Sequence, residues 1–139
     1  SPDGTQISFS SDRNGNWDIV IRDVNGENQQ ALTTSSDLEL FPAWSPDGSQ
    51  IAFNFLKPRS RNTDVFIMKA DGSQIQQLTD SPTFDENPVW SPDGTQIAFQ
   101  TNRDGHFEIY LMSADGSAQS PLAENPADEL WPSWQLIVR

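Results

Sequence analysis

Phe41-Pro42-Ala43-Trp44-Ser45-Pro46-Asp47-Gly48 decides the fold, because the same phrase returns as Asn87-Pro88-Val89-Trp90-Ser91-Pro92-Asp93-Gly94. The chain opens on its second half, Ser1-Pro2-Asp3-Gly4, and Trp131-Pro132-Ser133-Trp134 repeats its first half near the other end. Trp44, Trp90 and Trp134 are therefore in register, at spacings of 46 and 44 residues. A period of this length marks units that bury their apolar surface against neighbouring copies of themselves.

Outward from the phrase, each unit shows the same order of segments. A Pro-x-Trp strand leads through Ser-Pro-Asp-Gly into a second strand, at Gln6 to Ser10, Gln50 to Phe55 and Gln96 to Thr101. Proline presets φ at the first central position of a type I turn, and glycine accepts the position after it. A third strand follows at Trp17 to Arg22, Asp64 to Lys69 and Phe107 to Met112. Asn25-Gly26, Asp71-Gly72 and Asp115-Gly116 predict tight hairpin turns, and short fourth strands close the units at residues 31–33, 77–79 and 121–123. The second and third strands are apolar on both faces, as Ile51-Ala52-Phe53 and Val65-Phe66-Ile67 show. Four antiparallel strands per unit of about 44 residues predict an all-β propeller with three blades in this chain. No segment carries the 3.6-residue periodicity of a helical solenoid.

The 139 residues carry 8 Lys and Arg against 20 Asp and Glu, a net charge of -12. Nucleic acid is disfavoured as a partner, since phosphate binding needs a basic surface, and so is an anionic membrane surface. Without cysteine, and with His106 as the single histidine, the chain is expected to hold no disulfide, no zinc and no cofactor. No apolar run approaches the roughly 18 residues of a spanning helix. Ser1 opens mid-motif, so a processed or excised chain is expected.

The run Pro-x-Trp-Ser-Pro-Asp-Gly-(Thr/Ser)-Gln-Ile-(Ser/Ala)-Phe, then Arg, then an acidic residue before an Ile-Tyr-like strand, resembles the TolB-like family of propeller repeats across essentially the whole chain. The resemblance implies a six-bladed ring like the carboxy-terminal propeller of periplasmic TolB, and hence a periplasmic or secreted, non-enzymatic protein-binding scaffold. It equally implies the accessory propellers that sit beside hydrolase domains in prolyl-oligopeptidase and tricorn-like peptidases. An excised or engineered fragment without a ligand of its own is a further reading. The family's amino-terminal α/β domain is absent from this sequence.

Blade 1 (1–44) lacks its own Pro-x-Trp strand, blade 2 occupies 41–80, blade 3 occupies 87–123, and a spare closing strand lies in 130–139. Three blades of about 60° each make half a six-bladed ring. A twofold homodimer is therefore expected, in which residues 130–134 of each chain complete blade 1 of the other.

On the face formed by the variable loops, Glu39, Asp85 and Glu129 each stand five residues before a Trp, with Glu86 and Asp128 beside them. They read either as a negative channel mouth for a cation or basic peptide or as a solvated rim. Arg13 and Asp18, Arg59 and Asp64, and Arg103 and Glu108 share a spacing of five and are expected to brace each blade's hairpin. An insertion in the second blade gathers Lys57, Arg59 and Arg61, a clamp for an acidic ligand or local charge balance. Asp12, Asn14, Asn16 and Asp18 alternate like a calcium loop but lack its glycine and terminal glutamate. No Gly-x-Ser-x-Gly elbow is present, and no catalytic residue is assigned; His106 reads as a surface loop residue.

Overall fold

Each Ser-Pro-Asp-Gly phrase folds as a self-contained corner in the computed structural model, which describes residues 1–57, 62–123 and 126–135. Gly4, Gly48 and Gly94 donate their N–H to the carbonyls of Ser1, Ser45 and Ser91 at 2.9–3.0 Å and adopt φ of 72–73°. Only glycine takes that conformation without strain. Asp47 accepts from Ser45 Oγ and from the Ser49 N–H and hydroxyl, and Ser45 Oγ accepts the Gln50 N–H at 2.9 Å. The neighbouring hydroxyls, Ser1 and Ser91 first, hold the carboxyls of Asp3 and Asp93 down at about 2.

Each corner leads into a β-strand, and the described residues form eleven strands and no helix. Blade 1 comprises β1 (Gln6–Ser11), β2 (Asp18–Asp23) and β3 (Gln30–Ala31). Blade 2 comprises β4 (Leu38–Trp44), β5 (Gln50–Leu56), β6 (Thr63–Lys69) and β7 (Gln76–Gln77). Blade 3 comprises β8 (Asp85–Trp90), β9 (Gln96–Thr101), β10 (Glu108–Ser113) and β11 (Ser120–Pro121). All pairing is antiparallel between chain neighbours, so blades 2 and 3 are four-stranded meanders and blade 1 has three strands.

Alternation along the central strands distributes their side chains to two interfaces. Ile51 and Phe53 of β5, with Phe66 and Met68 of β6, pack against Ile19 and Ile21 of blade 1. Ala52, Val65 and Ile67, which point the other way, join Trp90, Ile97, Phe99, Tyr110 and Met112 of blade 3. This explains why these strands read as continuous apolar runs.

Proline in an inner strand needs an edge or a bulge, since it donates nothing to the ladder. Both conditions hold. β4 and β8 are edge strands, and each slips register across Phe41-Pro42 and Asn87-Pro88. The residue before each proline adopts a left-handed φ, 53° at Phe41 and 54° at Asn87. Its N–H is taken by a side chain of the preceding blade, Ser10 at 3.0 Å and Asn54 at 2.9 Å.

Successive blades also meet through glycines. A Cβ on Gly48 or Gly94 would lie 3.5 or 3.2 Å from Pro2 or Pro46 of the blade before. At Gly72 and Gly116 it would lie 2.7 and 2.9 Å from the carbonyls of Leu32 and Leu78.

One expectation needs correction. The Asn/Asp-Gly turns are not two-residue hairpins. Gly26, Gly72 and Gly116 close four-residue turns on Asp23, Lys69 and Ser113, and Asn28, Gln74 and Ala118 then take a second left-handed φ. The wider link leaves only two-residue fourth strands, although Leu32, Leu78 and Leu122 extend each ladder by one N–H bond of 2.8 Å. Residues 130–134 pair with no strand of the chain itself, and residues 136–139 of the expected closing strand fall outside the described residues.

Candidate functional site

Antiparallel order puts the Ser-Pro-Asp-Gly corners on one face of the blades and the longer loops, which carry the charge, on the other. On the loop face, each of the strands β2, β6 and β10 carries a buried acid within its first two residues: Asp18, Asp64 and Glu108. The next blade's inner strand does the same, and Glu39 and Asp85 are also buried. Carboxylates thus meet in pairs at the junctions, Asp18 with Glu39 and Asp64 with Asp85, close enough to repel one another.

Hydroxyls compensate part of this. Thr33 and Thr79 accept the Ile19 and Val65 N–H at 2.9 Å and face Asp18 and Asp64 at 3.5 and 3.4 Å. Ser35 donates to Glu39 at 2.5 Å. Burial still dominates. It raises the Glu39 carboxyl above its usual range and pushes Asp64 up to about 6, with the charge of Asp85 adding to the latter. Asp18 Oδ2 and Glu39 Oε2 are buried without a hydrogen-bond partner.

The third blade has a different solution. Arg103 Nη2 reaches both oxygens of Asp85, at 3.1 and 3.0 Å, and Nη1 donates to Gln119. Its guanidinium lies 4.8 Å from the Tyr110 ring centroid and 5.6 Å from that of Phe99. Tyr110 in turn donates to Asp104, and burial with that bond lifts its hydroxyl to about 12.

Of the five-residue pairs of the sequence, the two whose members are both among the described residues do not form. Arg103 bonds Asp85 of its own inner strand, while Glu108 contacts His106 Nε2 at 2.9 Å. Arg13 bonds Ser11 and overlies Phe9 at 5.8 Å, and Asp18 faces Thr33 instead. A five-residue spacing across a hairpin turn puts its ends at different depths of the sheet, one on the loop and one at the buried strand start. Arg59 and Arg61, and with them the Arg59 and Asp64 pair, lie outside the described residues. Lys57 is exposed near the Phe55 ring, and its charge acts on Asp64.

The acidic register divides by depth. Glu39 and Asp85 are buried, Glu129 is half-buried, Glu86 accepts from Gln100, and Asp128 accepts the Phe107 N–H on the surface. Glu129 donates its N–H to the Phe107 carbonyl at 2.7 Å, as Glu39 does to Trp17 at 2.8 Å. The alternating set Asp12, Asn14, Asn16 and Asp18 does not converge. Asn16 turns its amide nitrogen to the Ser35 and Asp37 carbonyls, Asp18 is buried, and Asp12 and Asn14 face solvent. Sequence reasoning passed over Thr33 and Thr79; their recurrence after Leu32 and Leu78 was the available signal, and blade 3 has Ala123 there.

A family model described as the TolB beta propeller domain matches residues 1–136. The chain belongs to the TolB β-propeller domain family. Among curated relatives, the "Protein TolB homolog" of Chlorobaculum tepidum is 48% identical over 50 residues, 36% of this chain and 12% of that protein. The "Tol-Pal system protein TolB" of Anaeromyxobacter sp. (strain K) is 38% identical over 47 residues, 34% of this chain and 11% of that protein. The putative TolB structure from Agrobacterium tumefaciens superposes with a TM-score of 0.87 at 25% identity, over 95% of this chain and 47% of that one. A puromycin hydrolase structure also matches, with a TM-score of 0.74 at 16% identity over 90% of this chain and 22% of that one, a likeness of fold alone. The chain thus spans about half the length of the Agrobacterium protein and about an eighth of the curated TolB relatives. Among the described residues of this TolB-like chain, no helix is long and apolar enough to cross a membrane.

Proposed function

We propose that this chain is a non-enzymatic binding scaffold, a half-propeller that joins a second copy in a six-bladed, twofold ring and presents its loop face to a basic protein or peptide segment. The observation that carries the reading is the layer of carboxylate pairs at successive blade junctions, all on one face. Burial has left Glu39 and Asp64 poorly compensated, and an arriving cation offsets that charge. The periplasm is the compartment that the family resemblance implies. The likeness to puromycin hydrolase favours a second reading, an accessory propeller beside a catalytic domain; a hydrolase domain adjoining these repeats in one polypeptide would support it.

Calorimetric titration of a ten-residue lysine peptide tests the scaffold reading. Binding is expected at low ionic strength, weakened by salt and by the Glu39→Gln/Asp64→Asn double substitution. Equal binding of a glutamate peptide, or none of the lysine peptide, overturns it.

A further inference from the structure

Two groups beside the open edge of blade 1, Trp44 of β4 and Arg13, are poised for partners that their counterparts in blade 3 already have. Trp90 Nε1 donates to the carbonyl of Ala43, one inner strand back, at 3.2 Å. The equivalent Trp44 Nε1 is buried and has no acceptor among the described residues, a state that native structures rarely tolerate. Ala43 corresponds to Val89 and Ser133 in the repeat, so the acceptor that Trp44 needs is a carbonyl at the position of Ser133.

Arginine tells the same story independently. Arg103 bonds the Thr101 hydroxyl through Nε at 3.2 Å, overlies Phe99, and delivers Nη2 to Asp85. Arg13 repeats the first two contacts, with Ser11 at 2.9 Å and Phe9 at 5.8 Å, yet makes no ion pair among the described residues. The counterpart of Asp85 in the repeat is Glu129.

Both missing groups belong to one stretch, Glu129-Leu130-Trp131-Pro132-Ser133-Trp134, which copies Glu39-Leu40-Phe41-Pro42-Ala43-Trp44. That stretch already has an inner strand's shape. Trp131 has φ of 55°, matching Phe41 and Asn87, and donates its N–H to Gln100 Oε1 at 3.1 Å, as those residues do to Ser10 and Asn54. It is docked on blade 3 with no ladder partner on its other side.

Resting on the assembly reading above, we propose that the open edge of β1, with Trp44 and Arg13, is an acceptor site for residues 129–134 of a second copy, selected by a Trp44 to Ser133 hydrogen bond and an Arg13 to Glu129 ion pair. The register of β4 on β5 then sets Glu129 opposite Ser11, Leu130 opposite Ser10, Ser133 opposite Ser8 and Trp134 opposite Ile7. Ile7 and Trp134, 55% and 40% exposed, cover one another. A strand held in its bound shape beforehand loses little freedom on docking, and twofold symmetry makes each junction twice.

Charge exchange tests the selection. Arg13→Glu and Glu129→Arg chains, each alone, are expected to weaken the dimer at least about tenfold by sedimentation. Mixed in equal amounts they restore opposite charges at both junctions, so a heterodimer of near wild-type affinity is expected. The Trp44 indole N–H resonance should become protected from exchange in the wild-type dimer. A wild-type dimer that neither substitution weakens, or a mixture no tighter than its components, overturns the selection while the assembly stands. A wild-type chain that stays monomeric at about 100 μM overturns both.

Discussion

Blades 1 and 3 are built from nearly the same phrases and differ in what covers them. Ile97, at the start of β9, is fully buried, whereas Ile7, its counterpart on β1, is 55% exposed. β8 lies along β9, and no inner strand lies along β1. The difference teaches that burial here is conferred by the neighbouring strand and not by the residue. A repeat carries the instruction for an interface, and the interface exists only where the next copy is present.

Core truncation measures that difference most directly. Ile97→Ala is expected to cost about 2–5 kcal/mol in denaturant unfolding, from lost burial and the cavity left behind. Ile7→Ala should cost less than about 1 kcal/mol in dilute solution, where half its surface already meets water. Equal costs would mean that β1 is covered in solution.

Glycine substitutions sharpen the contrast at the other edge. Gly72→Ala drives a Cβ to 2.7 Å from the Leu32 carbonyl at a φ of 84°, and a loss of about 2–3 kcal/mol is expected. Gly26, the blade 1 equivalent, would meet only the movable end of Arg22 at 3.1 Å. Gly26→Ala should therefore cost about 1 kcal/mol, the backbone term alone. Thermal melts of the two variants check the gap.

Asp64 gives the contrast a pH dependence. Its folded pKa of about 6 stands above the ordinary aspartate value of 3.8, so the folded state holds the proton longer and stability falls as pH rises from about 4 to 6. Asp64→Asn is expected to leave stability unchanged below pH 4 and to raise it by about 1–2 kcal/mol above pH 7. A variant that destabilises at pH 7 would show that Thr79 and the Gln77 amide, which donates to Asp64 Oδ2 at 3.2 Å, compensate the charge fully.

The smallest effect is expected at the tryptophans. Trp90→Phe removes an indole bond to Ala43 and should cost more than Trp44→Phe, which removes a donor without an acceptor, by about 1 kcal/mol in the monomer. Closure of blade 1 would abolish that margin.

The strand order was legible because its signals are local: proline and glycine at fixed turn positions, and β-branched or aromatic residues between them. The acids were legible as a register, since Glu39, Asp85 and Glu129 keep one distance from tryptophan. Their partners were not. Arg103 reaches Asp85 across eighteen residues of sequence, through a pairing that spacing along a hairpin does not encode. Nor does composition distinguish a carboxylate on a rim from one beneath it; burial of Asp64 depends on the adjoining blade. The hairpin width was missed because the left-handed positions fall on Asn28, Gln74 and Ala118, residue types that announce no common turn.

The corners of Ser-Pro-Asp-Gly seat each glycine on the proline of the blade before, Gly48 on Pro2 and Gly94 on Pro46. Such a link has a direction and a fixed reach, and every copy offers the same socket and the same plug. Along the described chain each blade is therefore placed by the corner before it, so one short phrase, repeated, sets the spacing of successive blades.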